Sequence, residues 1–487
     1  MEAVGPSADV HCCVATKTPH VLVVPYPAQG HTNPVLSIAR FLVANGIFVT
    51  LVQASNGLIP QTNSTPSNGN HSAPAEASLM RHETIPSGFD NSKPLSTETL
   101  MASNDVMRNA FNELLQKLML EDNAPVCLFI DSFFGWGHAM AVDFGLSHVD
   151  LYTSAAFTFC LGIHLPDLVA RGFIPAMEEG AKDRIIDFLP GLPTLRIADL
   201  PNSFTAEEGI QSTTFTFFSS VYEHAKMADR ILVNTMYELE TSVIKSLCKD
   251  DRLPLVPVGP LHMITKAPNL SVSQQDNDCL SWLDRQQQSS VLYISLGSIV
   301  SLEESTIAEL AHGLEASGER FLWVIRRNMY NSKASVEDIL PKGFMERTIN
   351  RGLVIAWAPQ LAVLGHSSVG AFLTHCGWNS VLESLSNGLP MLGFPLMAEQ
   401  ITNLKLIVDD WKVGLPLSQN QGNTQKVERI CAQRAITSLM RGKEGLQVRA
   451  RAREWKQVAE NASHGSSKNN LQKLVDDLKT GQLKHPK

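Results

Sequence analysis

Residues that could perform chemistry are concentrated between Trp357 and Gln400 of this 487-residue chain. Strands are predicted at 353–356, 369–373 and 389–394, and polar or aromatic groups follow each of them. Parallel sheets bind ligands beyond the carboxyl ends of their strands, so we expect these side chains to surround one ligand. The candidates are Trp357, Ala358, Gln360, His375, Trp378, Asn379, Ser380, Glu383, Glu399 and Gln400.

The types of these residues match the base and ribose of a nucleotide-sugar. Such a molecule presents a flat base, a ribose diol, two phosphates and a ring with many hydroxyls. Trp357 offers an aromatic face for the base, and Glu383 and Gln360 can hydrogen-bond a diol.

The other candidates match the phosphates and the sugar. Asn379 and Ser380 open a predicted helix, whose free N–H groups favour phosphate. His375 is expected to neutralise phosphate charge, and Glu399 and Gln400 can bind sugar hydroxyls. Taken one at a time, these residues could equally be packed rings, a helix cap and solvated carboxylates. Such structural roles do not account well for the presence of all these residues together.

His31 and Asp131 in the first half of the chain are candidates for an acid–base pair. His31 ends a loop after a predicted strand at 20–26, and Pro34 suits the first turn of the helix that follows, with Thr32 or Asn33 as its cap. A neutral imidazole can accept a proton near neutral pH. Asp131, just after a strand at 125–130, could orient that imidazole, as Asp does in hydrolase triads. The alternative for a single His beside a helix start is capping or packing.

Composition excludes several classes of function. The net charge is −8 with no basic run, which argues against nucleic acid as a partner. No stretch approaches the ~18 apolar residues of a membrane span. The first residues show no secretory signal and the eight cysteines are scattered, so we expect a cytoplasmic protein with reduced thiols and no bound metal.

Strands and helices alternate along the chain, which predicts an α/β fold with parallel sheets in more than one domain. We expect an N-terminal domain at 1–255, a linker at 256–278 and a C-terminal domain at 279–462. A final helix is predicted within 463–487, where Leu471, Leu474, Val475 and Leu478 share one face.

The stretch from Trp357 to Gln400 resembles, over its full length, the signature box of plant family-1 UDP-dependent glycosyltransferases of secondary metabolism. This resemblance implies a GT-B fold, with two Rossmann-like parallel-sheet domains facing each other across a cleft. It also implies inverting transfer from a UDP-sugar without a metal, and a final helix that returns to the N-terminal domain. The N-terminal domain would bind the acceptor and the C-terminal domain the UDP-sugar donor. Supporting motifs are 25–31, 190–193, Asn234-Thr235 with 238–240, Val258-Gly259-Pro260-Leu261 and 295–298.

The resemblance also implies a role for individual residues. Trp357 would stack on uracil, Ala358 would bind it through the backbone, and Gln360 and Glu383 would hold ribose. The remaining roles are the diphosphate for Ser298, His375, Asn379 and Ser380, the sugar for Trp378, Glu399, Gln400 and, more weakly, Thr153, and catalysis for His31 and Asp131. Gln at position 400 goes with glucose in this family, so we expect UDP-glucose as the donor.

The acceptor is expected to be a small apolar molecule, and aromatic residues favour a phenolic or flavonoid-like compound. The candidates that would line its pocket are Phe133, Phe134, Trp136, Phe157, Phe159, His164 and Phe188, and the alternative is that most of these rings are core. A terpenoid or carboxylate acceptor, or another UDP-sugar, is also open. The polar loop 54–80 is expected to be mobile near the pocket, and the protein to be a monomer.

Three other functions compete with this interpretation. A dinucleotide oxidoreductase would carry Gly-x-Gly-x-x-Gly after the first strand, whereas the loop here has Gly30 alone. Asp276-Asn277-Asp278 could be an acidic metal motif, but acids at a helix start are favourable in any case. A non-catalytic UDP-sugar-binding protein is the serious alternative, and the presence of both His31 and Asp131 argues against it.

Overall fold

The computed structural model describes most of the chain, as two parallel-sheet domains. The described residues are 18–55, 79–89, 96–176, 178, 180–205, 208–249, 253–265, 274–297, 301–330, 334–418 and 426–483. Most of the loop predicted to be mobile, 54–80, therefore lies outside the described residues. Ser298 lies outside them as well.

The first domain is a seven-stranded parallel sheet with helices on both faces. Its central strands are short apolar runs buried on both sides, as expected when helices cover a parallel sheet. The strands are His20–Val24 (β1), Phe48–Ser55 (β2), Met80–Pro86 (β3), Cys127–Asp131 (β4), Ser147–Tyr152 (β5), Arg230–Val233 (β8) and Leu255–Pro257 (β9), with Ile185–Ile186 (β6) and Leu195–Arg196 (β7) in a separate antiparallel pair. The helices are Gln29–Ala44 (α1), Thr97–Leu118 (α2), Gly137–Asp143 (α3), Ala156–Ile163 (α4), Leu165–Ala170 (α5), Thr213–Ala225 (α6), Thr241–Leu247 (α7) and Leu261–Ile264 (α8). The order across the large sheet is β3-β2-β1-β4-β5-β8-β9.

The second domain is a six-stranded parallel sheet. Its strands are Val291–Ser295 (β10), Arg320–Val324 (β11), Gly352–Ile355 (β12), Val369–Thr374 (β13), Met391–Gly393 (β14) and Gly414–Pro416 (β15), in the order β12-β11-β10-β13-β14-β15. The helices in this half of the chain are Gln274–Asp284 (α9), Glu304–Ser317 (α10), Val336–Ile339 (α11), Phe344–Thr348 (α12), Gln360–Leu364 (α13), Trp378–Asn387 (α14), Gln400–Lys405 (α15), Arg429–Arg441 (α16), Lys443–His464 (α17) and Ser466–Thr480 (α18). Two such sheets confirm the predicted α/β class and the GT-B arrangement.

Helix α1 begins earlier than predicted, which changes the setting of His31. Ala28 is the N-cap, with extended backbone and no side-chain cap, so Pro34 lies inside the helix rather than in its first turn. Thr32 therefore does not cap the helix, and its hydroxyl donates to Tyr26 O at 3.1 Å instead. The start of α1 was predicted too late in the sequence because Pro is common in the first turn of helices. His31 thus lies on the first turn of α1 and not in a loop.

The N-terminal domain also extends beyond residue 255, where it was predicted to end. Strand β9 runs to Pro257 and pairs with β8, and Leu261 of α8 is buried in the same core. The predicted linker 256–278 therefore begins with residues of this domain and ends within α9. The boundary was misplaced because a three-residue strand is too short to show any periodicity.

The last two helices connect the domains. Helix α17 packs against both α14 and α8. Leu471, Leu474, Val475 and Leu478 of α18 are buried in one cluster with residues of β1, β2 and β4 in the N-terminal sheet. The structure therefore places the final helix on the N-terminal domain. Among the described residues, no helix is both long enough and apolar enough to cross a membrane.

Replacing Leu471 with Ala should destabilise the N-terminal domain. The side chain is fully buried in the core of that domain, so we expect a loss of about 2–5 kcal/mol in the free energy of unfolding from lost contacts and the cavity left behind. Hydrogen exchange at the amides of β1, together with urea denaturation, measures this loss. Lys473→Ala, an exposed position on the same helix, is the control. Unchanged protection of β1 in Leu471→Ala would contradict the packing.

Candidate functional site

The predicted site residues lie at the carboxyl ends of strands in both sheets. On one side, Asp131 ends β4 and Thr153 follows β5 directly. On the other side, Trp357 follows β12, and Glu399 follows β14. A hydrogen bond of 2.6 Å from Asn379 Nδ2 to Gly30 O joins the two sides, so the candidates from both halves border one cleft.

His31 and Asp131, 100 residues apart in the sequence, form a hydrogen-bonded pair. His31 Nδ1 donates to Asp131 Oδ2 at 2.8 Å, and the Asp131 side chain is almost completely buried. The second carboxylate oxygen accepts a hydrogen bond of 3.0 Å from Phe133 N, which fixes the orientation of the group. With Nδ1 engaged, Nε2 is the ring nitrogen that can accept a proton from a substrate.

The pKa of His31 reflects two opposing effects. Burial disfavours the charged ring, but the negative charge of Asp131 and its hydrogen bond favour it, and the net effect raises the pKa above its ordinary value. Glu399 from the other domain acts in the same direction. Burial raises the pKa of Glu399 and the charge of His31 opposes this rise, so these two groups are close enough to interact electrostatically.

Aromatic rings surround the imidazole. The ring centroid of Phe133 lies 4.6 Å from that of His31, and the centroid of Tyr26 lies 5.5 Å away. Phe217 and Phe218 of α6 pack edge-on against Phe133. The imidazole of His31 therefore opens onto an apolar, aromatic surface.

Thr153 lies beside the imidazole of His31, with its Oγ1 3.1 Å from His31 Nδ1. The loop that carries it is anchored by Glu240, whose carboxylate accepts from Ala156 N at 3.0 Å and Phe157 N at 2.7 Å. Burial raises the pKa of Glu240 to about 6, and these hydrogen bonds oppose the rise. Glu240 thus holds the start of α4 and the preceding Thr153 in place.

The residues expected to bind base and ribose form one cluster at the start of α13 and on α14. Trp357 has 42% of its surface exposed, so part of its ring is accessible for stacking, whereas Ala358 is buried. Gln360 Nε2 donates to Glu383 Oε2 at 2.6 Å and to Ser380 Oγ at 3.0 Å. Burial raises the pKa of Glu383 to about 7, and the hydrogen bond from Gln360 opposes this rise.

His375 does not have the charge that the sequence suggested. Burial, together with nearby Arg326, lowers its pKa to about 4, so the ring is neutral at pH 7. The space around it depends on glycine, because a Cβ at Gly297 or Gly377 would lie 2.7 or 2.5 Å from His375 Nε2. In the unliganded protein His375 is therefore available as a neutral hydrogen-bonding group rather than as an imidazolium.

Helix α14 begins at the cleft with free backbone donors. Its N-cap, Gly377, provides no side-chain cap. The side chains of its first two residues point to the N-terminal domain, since Trp378 Nε1 donates to Asn234 O at 2.7 Å and Asn379 donates to Gly30 O. Both residues were predicted to face the donor, and here their side chains join the two domains. The helix start can still bind an anion through its N–H groups.

Gln400 has a fixed amide orientation. Its Oε1 accepts from Leu396 N at 2.9 Å and from Met397 N at 3.1 Å, and the residue is buried. Because backbone N–H groups can only donate, the carboxamide oxygen must face them. Nε2 therefore points the other way, as a donor of defined position for a sugar hydroxyl.

The structure separates the aromatic residues that were predicted to line the acceptor pocket. Of the seven candidates, Phe133 lies against His31. Phe134, Trp136, Phe157 and Phe159 are buried in the hydrophobic cores, as the alternative interpretation held. His164 pairs with Asp167 on α5, and Phe188 packs against Arg171 and Phe173.

Tyr26, Phe217, Phe218 and Asn234 lie at the site and were not identified as site residues. Tyr26 and Asn234 belong to motifs that the sequence did single out, which was a usable signal. Phe217 and Phe218 lie far from every motif in the sequence, and only the packing of α6 brings them to Phe133. Among the described residues, no group of three or more His, Cys, Asp or Glu is arranged to hold a metal ion.

Comparison with known proteins found similar sequences and similar solved structures. The family model for UDP-glucoronosyl and UDP-glucosyl transferases matches residues 203–424. UDP-glycosyltransferase 85A7 of Arabidopsis thaliana is 34% identical, over 96% of this chain and 98% of that protein. The 7-deoxyloganetin glucosyltransferase of Catharanthus roseus is 31% identical, over 96% of this chain and 97% of that protein. Phytolacca americana UGT2, solved with UDP-2-fluoro-glucose and pterostilbene, has a TM-score of 0.81 and 31% identity, covering 95% of this chain and 100% of that one.

Replacing Asp131 with Asn should lower the pKa of His31. The carboxylate favours the imidazolium through its charge and hydrogen bond, and the amide keeps the shape but removes the charge, so burial would dominate. Titration of the His31 ring followed by NMR measures the change. Asp284→Asn, which alters the exposed partner of His366, is the matched control and should leave the His31 titration in place. An unchanged or higher pKa in Asp131→Asn would show that the carboxylate does not set it.

Proposed function

Because this chain belongs to the plant family-1 UDP-dependent glycosyltransferases, we propose that it transfers glucose from UDP-glucose to a hydroxyl of a small apolar acceptor, with inversion at the anomeric carbon. The observation that carries this proposal is the His31–Asp131 pair, held at 2.8 Å beside aromatic rings and across the cleft from Glu399. A protein that only binds UDP-sugars has no need of such an oriented base.

The base acts through Nε2 of His31. This nitrogen takes the proton of the acceptor hydroxyl while Nδ1 keeps its hydrogen bond to Asp131, whose charge stabilises the imidazolium that forms. The acceptor oxygen then attacks the anomeric carbon, and the bond from that carbon to the diphosphate oxygen breaks with its electron pair leaving on UDP. Attack opposite the leaving group converts an α-linked donor into a β-glucoside.

The diphosphate is stabilised by neutral donors. The N-terminus of α14 presents uncapped N–H groups where negative charge grows on the leaving group. Buried, neutral His375 adds a hydrogen bond, and the side chain of Ser380 lies within the same turn. The family resemblance assigns Ser298 to the same phosphates. These groups need no divalent metal to balance the charge.

The base and ribose of the nucleotide are held by residues of the C-terminal domain, on the other side of the cleft from His31. Uracil stacks on the exposed face of Trp357 and meets the backbone of Ala358. The paired Gln360 and Glu383 present acceptor and donor atoms to the ribose diol. This half of the site belongs entirely to the C-terminal domain, so we expect UDP binding to survive changes in His31.

The sugar is contacted by Gln400, Glu399 and Thr153. The fixed Nε2 of Gln400 is a donor of defined position, and Glu399 accepts from hydroxyls near the attacking oxygen. Glucose as the transferred sugar is supported by the relative described as a glucosyltransferase and by the UDP-2-fluoro-glucose bound to Phytolacca americana UGT2.

The acceptor is proposed to be a phenolic or flavonoid-like molecule. Phe133, with Tyr26 on one side and Phe217 and Phe218 on the other, forms an aromatic wall next to the base. Flat rings suit such a wall, and apolar pockets with few polar anchors are typical of small-molecule sites. Pterostilbene in the complex of Phytolacca americana UGT2 is in keeping with this choice.

Incubating the protein with UDP-glucose and a mixed set of phenolics, terpenoids and carboxylic acids should give hexosylated phenolics, identified by mass. With one such acceptor, kcat/KM should be higher for UDP-glucose than for UDP-galactose, and EDTA should leave turnover unchanged. Products from terpenoids or carboxylates alone would overturn the acceptor assignment. Binding of UDP-glucose with no product from any acceptor would favour a protein that only binds the nucleotide-sugar.

His31→Ala should reduce turnover by about 100- to 10,000-fold, the range expected for loss of a general base. The Kd for UDP, measured by calorimetry, should stay near that of the unaltered protein. His366→Ala is the matched control, because His366 forms a His–Asp pair with Asp284 within the C-terminal domain. Turnover of an acidic phenol by His31→Ala should fall less than turnover of an alcohol, since the phenol loses its proton more easily without a base. Near-normal turnover of His31→Ala on several acceptors would disprove the base assignment.

A further inference from the structure

Asn234 joins the two halves of the catalytic machinery. It lies just after β8 in the N-terminal domain, is buried, and contacts the first two residues of α14 in the other domain. We propose that Asn234 is a positioning residue, which holds Asn379 so that the phosphate-binding helix start and the His31 helix keep a fixed separation. This inference rests on the proposed function and adds a residue to it.

The orientation of the Asn234 carboxamide is fixed at one end by a backbone donor. Leu261 N donates to Asn234 Oδ1 at 3.1 Å, in a buried contact. A backbone N–H can only donate, so the oxygen must face Leu261. Nδ2 then points to Asn379 Oδ1, at 3.3 Å.

The orientation of the Asn379 carboxamide is fixed at the other end by a backbone acceptor. With Oδ1 facing Asn234, Asn379 Nδ2 faces Gly30 O and donates to it at 2.6 Å. Pro34 contributes to this contact, because it has no N–H and cannot make the usual helical hydrogen bond back to Gly30 O. The two amides therefore form a directional relay from Leu261 N to Gly30 O.

Two further features place Asn234 at this junction. Its carbonyl oxygen accepts from Trp378 Nε1 at 2.7 Å, so consecutive residues of α14 bind one residue of the partner domain. Gly259 permits the close fit, because a Cβ there would lie 2.7 Å from both the backbone carbon and Oδ1 of Asn234. The motifs Asn234-Thr235 and 258–261, which the proposed mechanism left without a role, thus meet at one point.

The relay ends one residue before the base. Gly30 precedes His31 on the first turn of α1, and Asn379 is the second residue of the helix whose N–H groups face the diphosphate. A displacement of about 1 Å between reacting groups can cost on the order of 100-fold in rate. Loss of the relay should therefore lower kcat, with little effect on nucleotide binding within the C-terminal domain.

Asn234→Asp tests the relay by replacing the side-chain nitrogen Nδ2 with an oxygen. The new carboxylate still accepts from Leu261 N and the backbone still accepts from Trp378, but the donor to Asn379 is lost. The Asn379 amide must then turn its Nδ2 toward that carboxylate, which brings Oδ1 against Gly30 O and breaks the contact. We expect kcat to fall roughly 10- to 100-fold, with the Kd for UDP close to that of the unaltered protein.

Two comparisons separate positioning from loss of stability. Asn470→Asp is the matched control, since it removes a similar amide donor, to Pro257 O at 2.8 Å, away from the cleft. It should leave kcat unchanged, and an equal loss of kcat in both variants would overturn the proposal. Asn379→Ala should lower kcat by a factor similar to that of Asn234→Asp, and the double variant should lose no more kcat than either single variant. If the losses of kcat in the two single variants multiplied in the double variant, or if Asn234→Asp kept the kcat of the unaltered protein, the proposal would be overturned.

Hydrogen exchange keeps the test independent of the proposed reaction. In the unliganded protein, Asn234→Asp should raise exchange at the amides that begin α14 and in the first turn of α1, and Asn470→Asp should not. If the unaltered protein transferred no sugar while this difference was seen, the proposed function would fail and the positioning role would stand. No difference in exchange would overturn the positioning role itself.

Discussion

The burial of Trp378 is the contact on which the rest of the site depends. Its indole is 3% exposed and lies in a hydrophobic cluster that contains residues of both domains, and its N–H is satisfied by Asn234 O. A large ring withdrawn from water in this way stabilises the contact between the domains, since burying such a side chain is worth on the order of 1.5–3 kcal/mol. The helix that begins at Trp378 would supply the phosphate site, so the same contact fixes where the leaving group would lie relative to His31.

Burial also determines which groups in the cleft carry charge. It lowers the pKa of His375 to about 4 and raises that of Glu383 to about 7, so burial moves both groups toward their uncharged forms. The His31–Asp131 pair differs, because a carboxylate within hydrogen-bonding distance outweighs the effect of burial and raises the pKa of the ring. An imidazole held by a carboxylate next to apolar rings is what the proposed removal of a proton from an apolar molecule requires.

The aromatic residues illustrate the limit of composition as a guide to binding. Phe133, Phe134 and Trp136 are close together in the sequence after β4, yet Phe133 turns to the base while Phe134 and Trp136 enter the core below. Phe217 and Phe218, more than 80 positions later, complete the wall because α6 packs over the same end of the sheet. Residue type identifies a ring as suitable for an apolar pocket, but the helix packing selects which rings reach it.

The sequence by itself determined the alternating strands and helices, the two parallel sheets and the residues from Trp357 to Gln400 that follow successive strands. These features are local: apolar runs make buried strands, and polar residues after such strands lie at the ligand-binding edge. The sequence also identified His31 and Asp131 as a candidate pair, although it did not show that Nδ1 of His31 is the nitrogen bonded to Asp131. The tertiary structure alone decided the start of α1, the neutral state of His375 and the junction of Asn234, Asn379 and Gly30. Each of these depends on groups brought together from distant parts of the chain, and on their removal from water, which no local pattern of residues encodes.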